Sequence, residues 1–170
     1  LFALGLIALL GVVVAGVWYV TNRVSSGEMV ADGSVIPAPE GPVKVYRHRD
    51  STLSGTLLFP ITRAQSNGLE DMRLTRFTHD DGSHEWLGTY TAYNGSQIQS
   101  EMLRTRDWRE FDLVPMTGSA ARNKGMGLFP RKVNGNYMMI GRQDGKNLYL
   151  LRSDTLDHWE GGELLLEPRF

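Results

Sequence analysis

The hydrophobic pattern divides the chain into an uncharged first segment and a long region of short alternating runs. Residues 1–20 contain no charged side chain. From residue 57 onward, apolar and polar positions alternate over short stretches, which is the two-residue period of half-buried strands. No helical period of convincing length follows residue 21. The pattern therefore predicts an all-β domain over residues 57–170.

The breaks between these runs carry strong turn signals. They fall at Asp80-Asp81-Gly82, Asn94-Gly95, Asn134-Gly135 and Asp144-Gly145. Asn-Gly and Asp-Gly favour two-residue hairpin turns, because both turn positions then adopt positive φ angles. The sequence thus predicts hairpins centred on these pairs.

A repeat of about 48 residues organises the predicted strands. Leu103-Arg104-Thr105 recurs as Leu151-Arg152-Ser153, and each triplet is followed by an aspartate and an aromatic residue. Those pairs are Asp107 with Phe111 and Asp154 with Trp159. Repeats of this length, with several strands each, are typical of β-propeller blades. We therefore expect about two blades, with both aromatics packed between blades.

The first 56 residues do not show the alternating pattern of the predicted β domain. Residues 1–20 are long enough to cross the roughly 30 Å hydrocarbon core of a bilayer as a helix. This predicts a membrane anchor or a signal sequence. A buried strand pair, a core helix or a segment that is not native to the following domain would also explain the uncharged run. Residues 21–56 are rich in Ser, Gly and Pro and predict a linker or partial blade, with residues 43–46 as a short strand.

The composition limits which kinds of binding site the chain can contain. The formal net charge is −1, which gives no overall field favouring nucleic acid. The absence of Cys excludes disulfides and thiolate zinc sites, and the four His lack the H-x-x-x-H spacing of a metal pair. Neither a metal nor an organic cofactor is expected. Oligomeric state and redox compartment stay open.

Three polar clusters are not explained by the repeat. The first contains Glu70, Asp71 and Arg73; strict alternation places Asp71 and Arg73 on one face, as an ion pair or as the start of a polar pocket. The second, residues 89–95, contains Tyr90 and Asn94, and one of its tyrosines could present a ring and hydroxyl to a sugar. Packing and turn formation explain it equally well.

The third cluster pairs Lys124 with Arg142 at the two ends of one predicted hairpin. Converging cations repel each other unless an anion lies between them, so a carboxylate or phosphate site is one interpretation. Separate ion pairs with acids such as Asp71 or Asp144 are the other.

Together these clusters resemble glycoside hydrolase family 130, the β-mannoside phosphorylases and β-mannosidases. The resemblance runs from about residue 64 to residue 170. It lies in residues 66–73 (SNGLEDMR), 88–95 (GTYTAYNG), 123–132 (NKGMGLFPRK), 141–144 (GRQD) and 153–159. No single motif is specific, but their order and spacing are.

The resemblance implies a five-bladed β-propeller with its active site at the mouth of the central channel. It implies inverting attack on a β-mannoside by phosphate or by water, and a cytoplasmic location. Asp71 would be the general acid, acting through a sugar hydroxyl, and Lys124 and Arg142 would bind phosphate as co-substrate. Arg73, Tyr90, Asn94 and Asp144 would contact the sugar.

The chain also departs from the family pattern. Met72 stands where the family has a small residue or proline, and residues 1–20 do not match the first blade. Five blades need well over 250 residues, so we expect a fragment that is inactive by itself. A hydrolytic member needs a base, and Glu70 and Glu101 are acids that no motif assigns. A non-catalytic sugar-binding propeller, which residues 1–20 would tether to a membrane, and a purely structural repeat protein are the competing hypotheses.

Overall fold

The computed structural model describes residues 28–29, 35–36 and 38–169, and within them the chain is almost entirely β-structure. The predicted apolar segment 1–20 lies outside these residues. In the described part, no helix is both long enough and apolar enough to cross a membrane. The all-β class predicted from the alternating pattern is confirmed.

The described strands form three antiparallel sheets, two of them large. A small sheet pairs β1 (Glu28–Met29) with β2 (Val35–Ile36). The first large sheet has the order β3-β7-β6-β5-β4, from strands Val43–Tyr46, Glu110–Pro115, Ile98–Thr105, His84–Tyr93 and Gly68–Thr78. The second has the order β11-β10-β9-β8, from strands Glu163–Leu166, Leu148–Ser153, Tyr137–Gly141 and Gly127–Leu128. Two short 3₁₀ helices, η1 (Leu53–Gly55) and η2 (Arg63–Gln65), precede β4.

Each large sheet is a meander, with consecutive strands as neighbours, apart from β3. This strand, predicted from the alternation of residues 43–46, pairs with β7 at the outer edge of the first sheet. The two repeated triplets end β6 and β10, which are the third strands of their meanders. The repeat in the sequence is therefore a repeat of sheets.

The predicted hairpin turns form, but mostly by a different mechanism. Of the Asn-Gly and Asp-Gly pairs, only Asn134-Gly135 has two positive φ angles, of 51° and 80°. At the other three turns the glycine alone is left-handed, and the preceding side chain accepts a backbone N–H within the turn, as Asp81 Oδ1 does from Ser83 at 2.9 Å. Asn94 Oδ1 accepts from the Gln97 N–H at 2.8 Å, and Asp144 Oδ1 accepts from the Asn147 N–H at 2.8 Å. Asx turns of this kind stabilise a hairpin without a second left-handed residue.

The main core lies between the two large sheets. It contains Phe77, Leu87 and Met102 from the first sheet, Leu128, Met139 and Leu151 from the second, and Trp159. Trp159 therefore packs between the sheets, as the repeat predicted. Phe111 does not: it is buried on the opposite face of the first sheet, with Tyr90, Leu103 and Leu113 against β3 and the segment around Leu58. The expectation for Phe111 is corrected, because β3 and this segment cover that face.

Candidate active site

An irregularity in β4 shapes the first polar cluster. Glu70 pairs with Thr91 and Arg73 pairs with Thr89, so Asp71 and Met72 together oppose the single residue Tyr90. This is a β-bulge, which bends a strand and redirects its side chains. Asp71 has a φ angle of 58°, in the left-handed region that residues other than glycine seldom adopt.

The bulge overturns the alternation argument made from the sequence. Glu70, and not Asp71, reaches Lys124: its carboxylate lies 3.1 Å from Lys124 Nζ. The extra residue breaks the two-residue period, so Asp71 and Arg73 are not related by simple alternation. Within the described part of the chain, Asp71 forms no ion pair or hydrogen bond through its carboxylate and is exposed.

Arg73 lies against the loop that carries Lys124. A Cβ atom at Gly125 would lie 3.4 Å from Arg73 Nη2, so the absence of a side chain there leaves room for the guanidinium. The loop is anchored to the first sheet by Ser100 Oγ, which donates to the Asn123 carbonyl at 3.0 Å, and by Thr89 Oγ1, which donates to Met126. These contacts bring the first half of β4 close to the start of β8.

Lys124 and Arg142 flank the β8–β9 hairpin, as the sequence predicted, since Gly127 pairs with Ile140. Gln143 Nε2 donates to the Ala120 carbonyl at 3.0 Å, which ties the turn after Arg142 to the loop before Lys124. Arg142 is exposed and has no ion pair within the described residues. Lys124 does have one, with Glu70, so the expected partners Asp71 and Asp144 are replaced by an acid that the sequence analysis left unassigned.

Asp144 and Asn94 are occupied by the turns that they close. Asp144 accepts from the N–H groups of Lys146 and Asn147, from the Asn147 amide and from the Tyr149 hydroxyl. The two backbone N–H bonds are the main cause that lowers the pKa of Asp144 to about 2. Asn94 Oδ1 accepts from Ser96 and Gln97, and its amide nitrogen has no hydrogen-bond partner among the described residues.

Tyr90 is the tyrosine of its cluster that packs inward. Only 4% of it is exposed, and its hydroxyl donates to Glu101 Oε2 at 2.6 Å. Gln65 Nε2 donates to the same carboxylate oxygen at 2.6 Å and to the Tyr90 hydroxyl at 3.1 Å. Burial raises the pKa of Tyr90 and, against the two hydrogen bonds, that of Glu101. Tyr90 therefore presents no free hydroxyl.

An apolar cavity of about 260 Å³ adjoins the bulge on this face. It is lined by Glu70, Asp71, Met72 and Tyr90 and by the leucines Leu58, Leu69, Leu103 and Leu113. Met72, the residue that departs from the family pattern, therefore forms part of an apolar wall beside Asp71. No group of three or more His, Asp or Glu side chains among the described residues has a metal-binding arrangement.

The sequence analysis missed the Gln65–Tyr90–Glu101 network. A two-residue turn at Asn94-Gly95 would pair Tyr90 with Gln99, but the observed turn spans residues 94–97 and pairs Tyr90 with Glu101. Gln65 gives no signal in the sequence either, because its place depends on how the η2 segment folds back over β5.

Comparison with known proteins supports the fold. No protein-family model and no curated protein matches the chain. Among solved structures, β-1,2-mannobiose phosphorylase from Listeria innocua in complex with β-1,2-mannobiose is similar at 22% identity, with a TM-score of 0.54 over 66% of this chain and 31% of that one. A protein from Parabacteroides distasonis classed as a glycoside hydrolase is 26% identical, with a TM-score of 0.50 over 63% of this chain and 36% of that one.

A glycosyl hydrolase from Bacteroides ovatus is 22% identical, with a TM-score of 0.50 over 63% of this chain and 35% of that one. The chain spans about a third of the length of these proteins. The resemblance predicted from the sequence is matched in structure: the chain has the fold of part of a β-1,2-mannobiose phosphorylase and of glycoside hydrolases.

Proposed function

We propose that the chain is part of a carbohydrate-active enzyme of the glycoside hydrolase family 130 type, which cleaves β-mannosides with inversion. In this proposal the two large sheets are two of five propeller blades, and the site lies at the mouth of the channel. The observation that carries it is the bulge in β4, which leaves Asp71 exposed at the cavity lined by Met72 and Tyr90, two residues before Arg73, whose guanidinium lies against Gly125 of the Lys124 loop.

The chemistry assigned to these residues is simple. Asp71 supplies a proton to the glycosidic oxygen, through a sugar hydroxyl, as the bond between that oxygen and the anomeric carbon breaks. A phosphate oxygen attacks the same carbon from the opposite face and forms the new bond. Phosphate arrives charged and needs a cationic site, which Lys124 and Arg142 would supply. No cofactor takes part.

Hydrolysis is the alternative fate of the same bond. Water then needs a base, and Glu70 is exposed at the bulge, whereas Glu101 is buried and bonded to Tyr90. Arg73 and the free amide of Asn94 are proposed sugar contacts. Tyr90 and Asp144 would act mainly by holding the surrounding backbone, because their polar atoms are already bonded.

The test is turnover of β-1,2-mannobiose, with and without inorganic phosphate, by the complete product of the open reading frame that encodes this chain. Asp71→Asn should lower kcat by about 10²–10⁴-fold, the usual contribution of a general acid, while sugar binding persists. Asp112→Asn, which removes a half-buried carboxylate on β7 that lies 3.5 Å from Lys44 Nζ, serves as the control. Sugar binding without turnover in the unsubstituted protein would favour a non-catalytic sugar-binding propeller and refute the enzyme.

A further inference from the structure

The bulge at Asp71 needs support that β4 does not provide by itself. In the described sheet β4 is the terminal strand, so β5 is its only neighbour there. A left-handed residue other than glycine persists only when its surroundings fix it. The residue that faces the bulge is Tyr90, which makes its environment decisive for the backbone of Asp71 and Met72.

Tyr90 is held from two directions. Glu101 is its direct partner on β6, and the two side chains meet on one face of the sheet with 2.6 Å between the hydroxyl and Oε2. Gln65 bonds both groups and also accepts, through Oε1, from the Ile61 N–H at 2.8 Å. Because Gln65 lies just before β4, the network joins the entry to β4 with β5 and β6.

Burying the polar groups of this network costs free energy, which a purely structural role would not require. Gln65 is 0% exposed and Glu101 is 1% exposed, and Glu101 Oε1 has no hydrogen-bond partner among the described residues. The neighbours on this face are Leu103, Phe111 and Leu113. Apolar side chains can often replace a buried polar group in such a setting without loss of stability. A role in fixing Tyr90, and through it the bulge, accounts for the polar residues.

We propose that Glu101 and Gln65 are positioning residues that act through the Tyr90 hydroxyl to fix the Asp71 bulge. This proposal rests on the proposed function only because it takes Asp71 as the catalytic group that needs positioning. The claim that the network fixes the backbone conformation of Asp71 does not depend on that function. Neither residue contacts substrate.

The test compares Glu101→Leu, Glu101→Gln and Tyr90→Phe in the complete reading-frame product. Glu101→Leu and Tyr90→Phe remove the bond and should lower kcat at least tenfold, with KM for β-1,2-mannobiose changing less than about twofold. Glu101→Gln keeps an acceptor for the Tyr90 hydroxyl and should restore kcat to within about threefold. Leu113→Ala, in the same apolar cluster, should lower the melting temperature without this pattern.

A second readout does not depend on turnover. Crystal structures of Glu101→Leu and Glu101→Gln give the φ angle of Asp71, which should leave the left-handed region in the first and keep it in the second. An unchanged φ angle and an unchanged kcat in Glu101→Leu would overturn the proposal. If the unsubstituted protein shows no turnover, the proposed function fails, and the φ angle alone decides on the positioning role.

Discussion

At the scale of single residues, Asp71 combines exposure with an unfavourable backbone conformation. Left-handed conformation costs most L-residues roughly 1–2 kcal/mol, and aspartate somewhat less because its side chain bonds locally. Asp71 shows no hydrogen bond of that kind in the described structure. Backbone strain of this sort concentrates at functional sites, which is why the residue supports a catalytic proposal better than its sequence motif alone.

The ion pair between Glu70 and Lys124 leads to a prediction about anions. Glu70 forms an ion pair with Lys124, the cation that phosphate would need. Glu70→Gln removes this competing negative charge and should therefore tighten phosphate binding. An exposed pair is worth about 0.2–1 kcal/mol, which corresponds to an increase in affinity of about 1.4- to fivefold. Titration calorimetry with inorganic phosphate would measure it.

Glu110→Gln is the matched control for this prediction. Glu110 forms an exposed ion pair with Lys44 on strands β7 and β3, at the other edge of the first sheet. Its substitution should leave phosphate affinity unchanged. Equal or weaker phosphate binding by Glu70→Gln would show that Lys124 does not contribute to an anion site.

At the scale of elements, Asp144 illustrates how a predicted sugar contact can instead build the element that carries the site. Asp144→Ala removes four hydrogen bonds from the β9–β10 turn and should lower the melting temperature by a few degrees at pH 7. The folded pKa of Asp144 lies below its ordinary value, at about 2. Its contribution is therefore present above the ordinary pKa and is lost as the pH falls through about 2.

The melting temperatures of Asp144→Ala and of the unsubstituted protein should accordingly converge as the pH falls toward 2. Asp154→Ala provides the comparison, because the Asp154 carboxylate is exposed and makes no hydrogen bond in the described part of the chain. A constant difference between Asp144→Ala and the unsubstituted protein from pH 7 to pH 2 would contradict the role of the ionised carboxylate.

The elements were largely predictable because their signals are local. Turn glycines, two-residue alternation and the repeated triplets all lie within one hairpin or one sheet. The bulge was not predictable, since an aspartate within an alternating run gives no specific signal for a left-handed position, although aspartate adopts that conformation at a lower cost than most residues. One extra residue changes which acid reaches Lys124, so the pairing of Glu70 with Lys124 could not be predicted from the sequence.

At the scale of the whole molecule, the two large sheets depend on one shared core. Trp159 is fully buried, its Nε1 donates to the Leu156 carbonyl at 2.9 Å, and its neighbours come from both sheets. Trp159→Ala should therefore reduce the free energy of unfolding by about 3–5 kcal/mol. Urea unfolding, followed by circular dichroism, measures this loss.

Trp86→Ala is a suitable comparison for Trp159→Ala. Trp86 is only partly buried and packs against Trp108 in a tilted arrangement, with ring centroids 5.1 Å apart. Its removal should cost clearly less, because part of the ring already faces solvent. Equal losses in the two variants would argue against a core shared between the sheets.

The position of β3 has a consequence for the order of folding. Lys44 on β3 and Glu110 on β7 are 66 residues apart in sequence, while β4 to β7 follow one another through short turns. Contacts between distant residues carry a larger loop-closure entropy and form later than local hairpins. During synthesis the ribosome must complete β7 before β3 has a neighbouring strand. Strand β3 therefore stays unpaired until the whole β4–β7 meander has been synthesised.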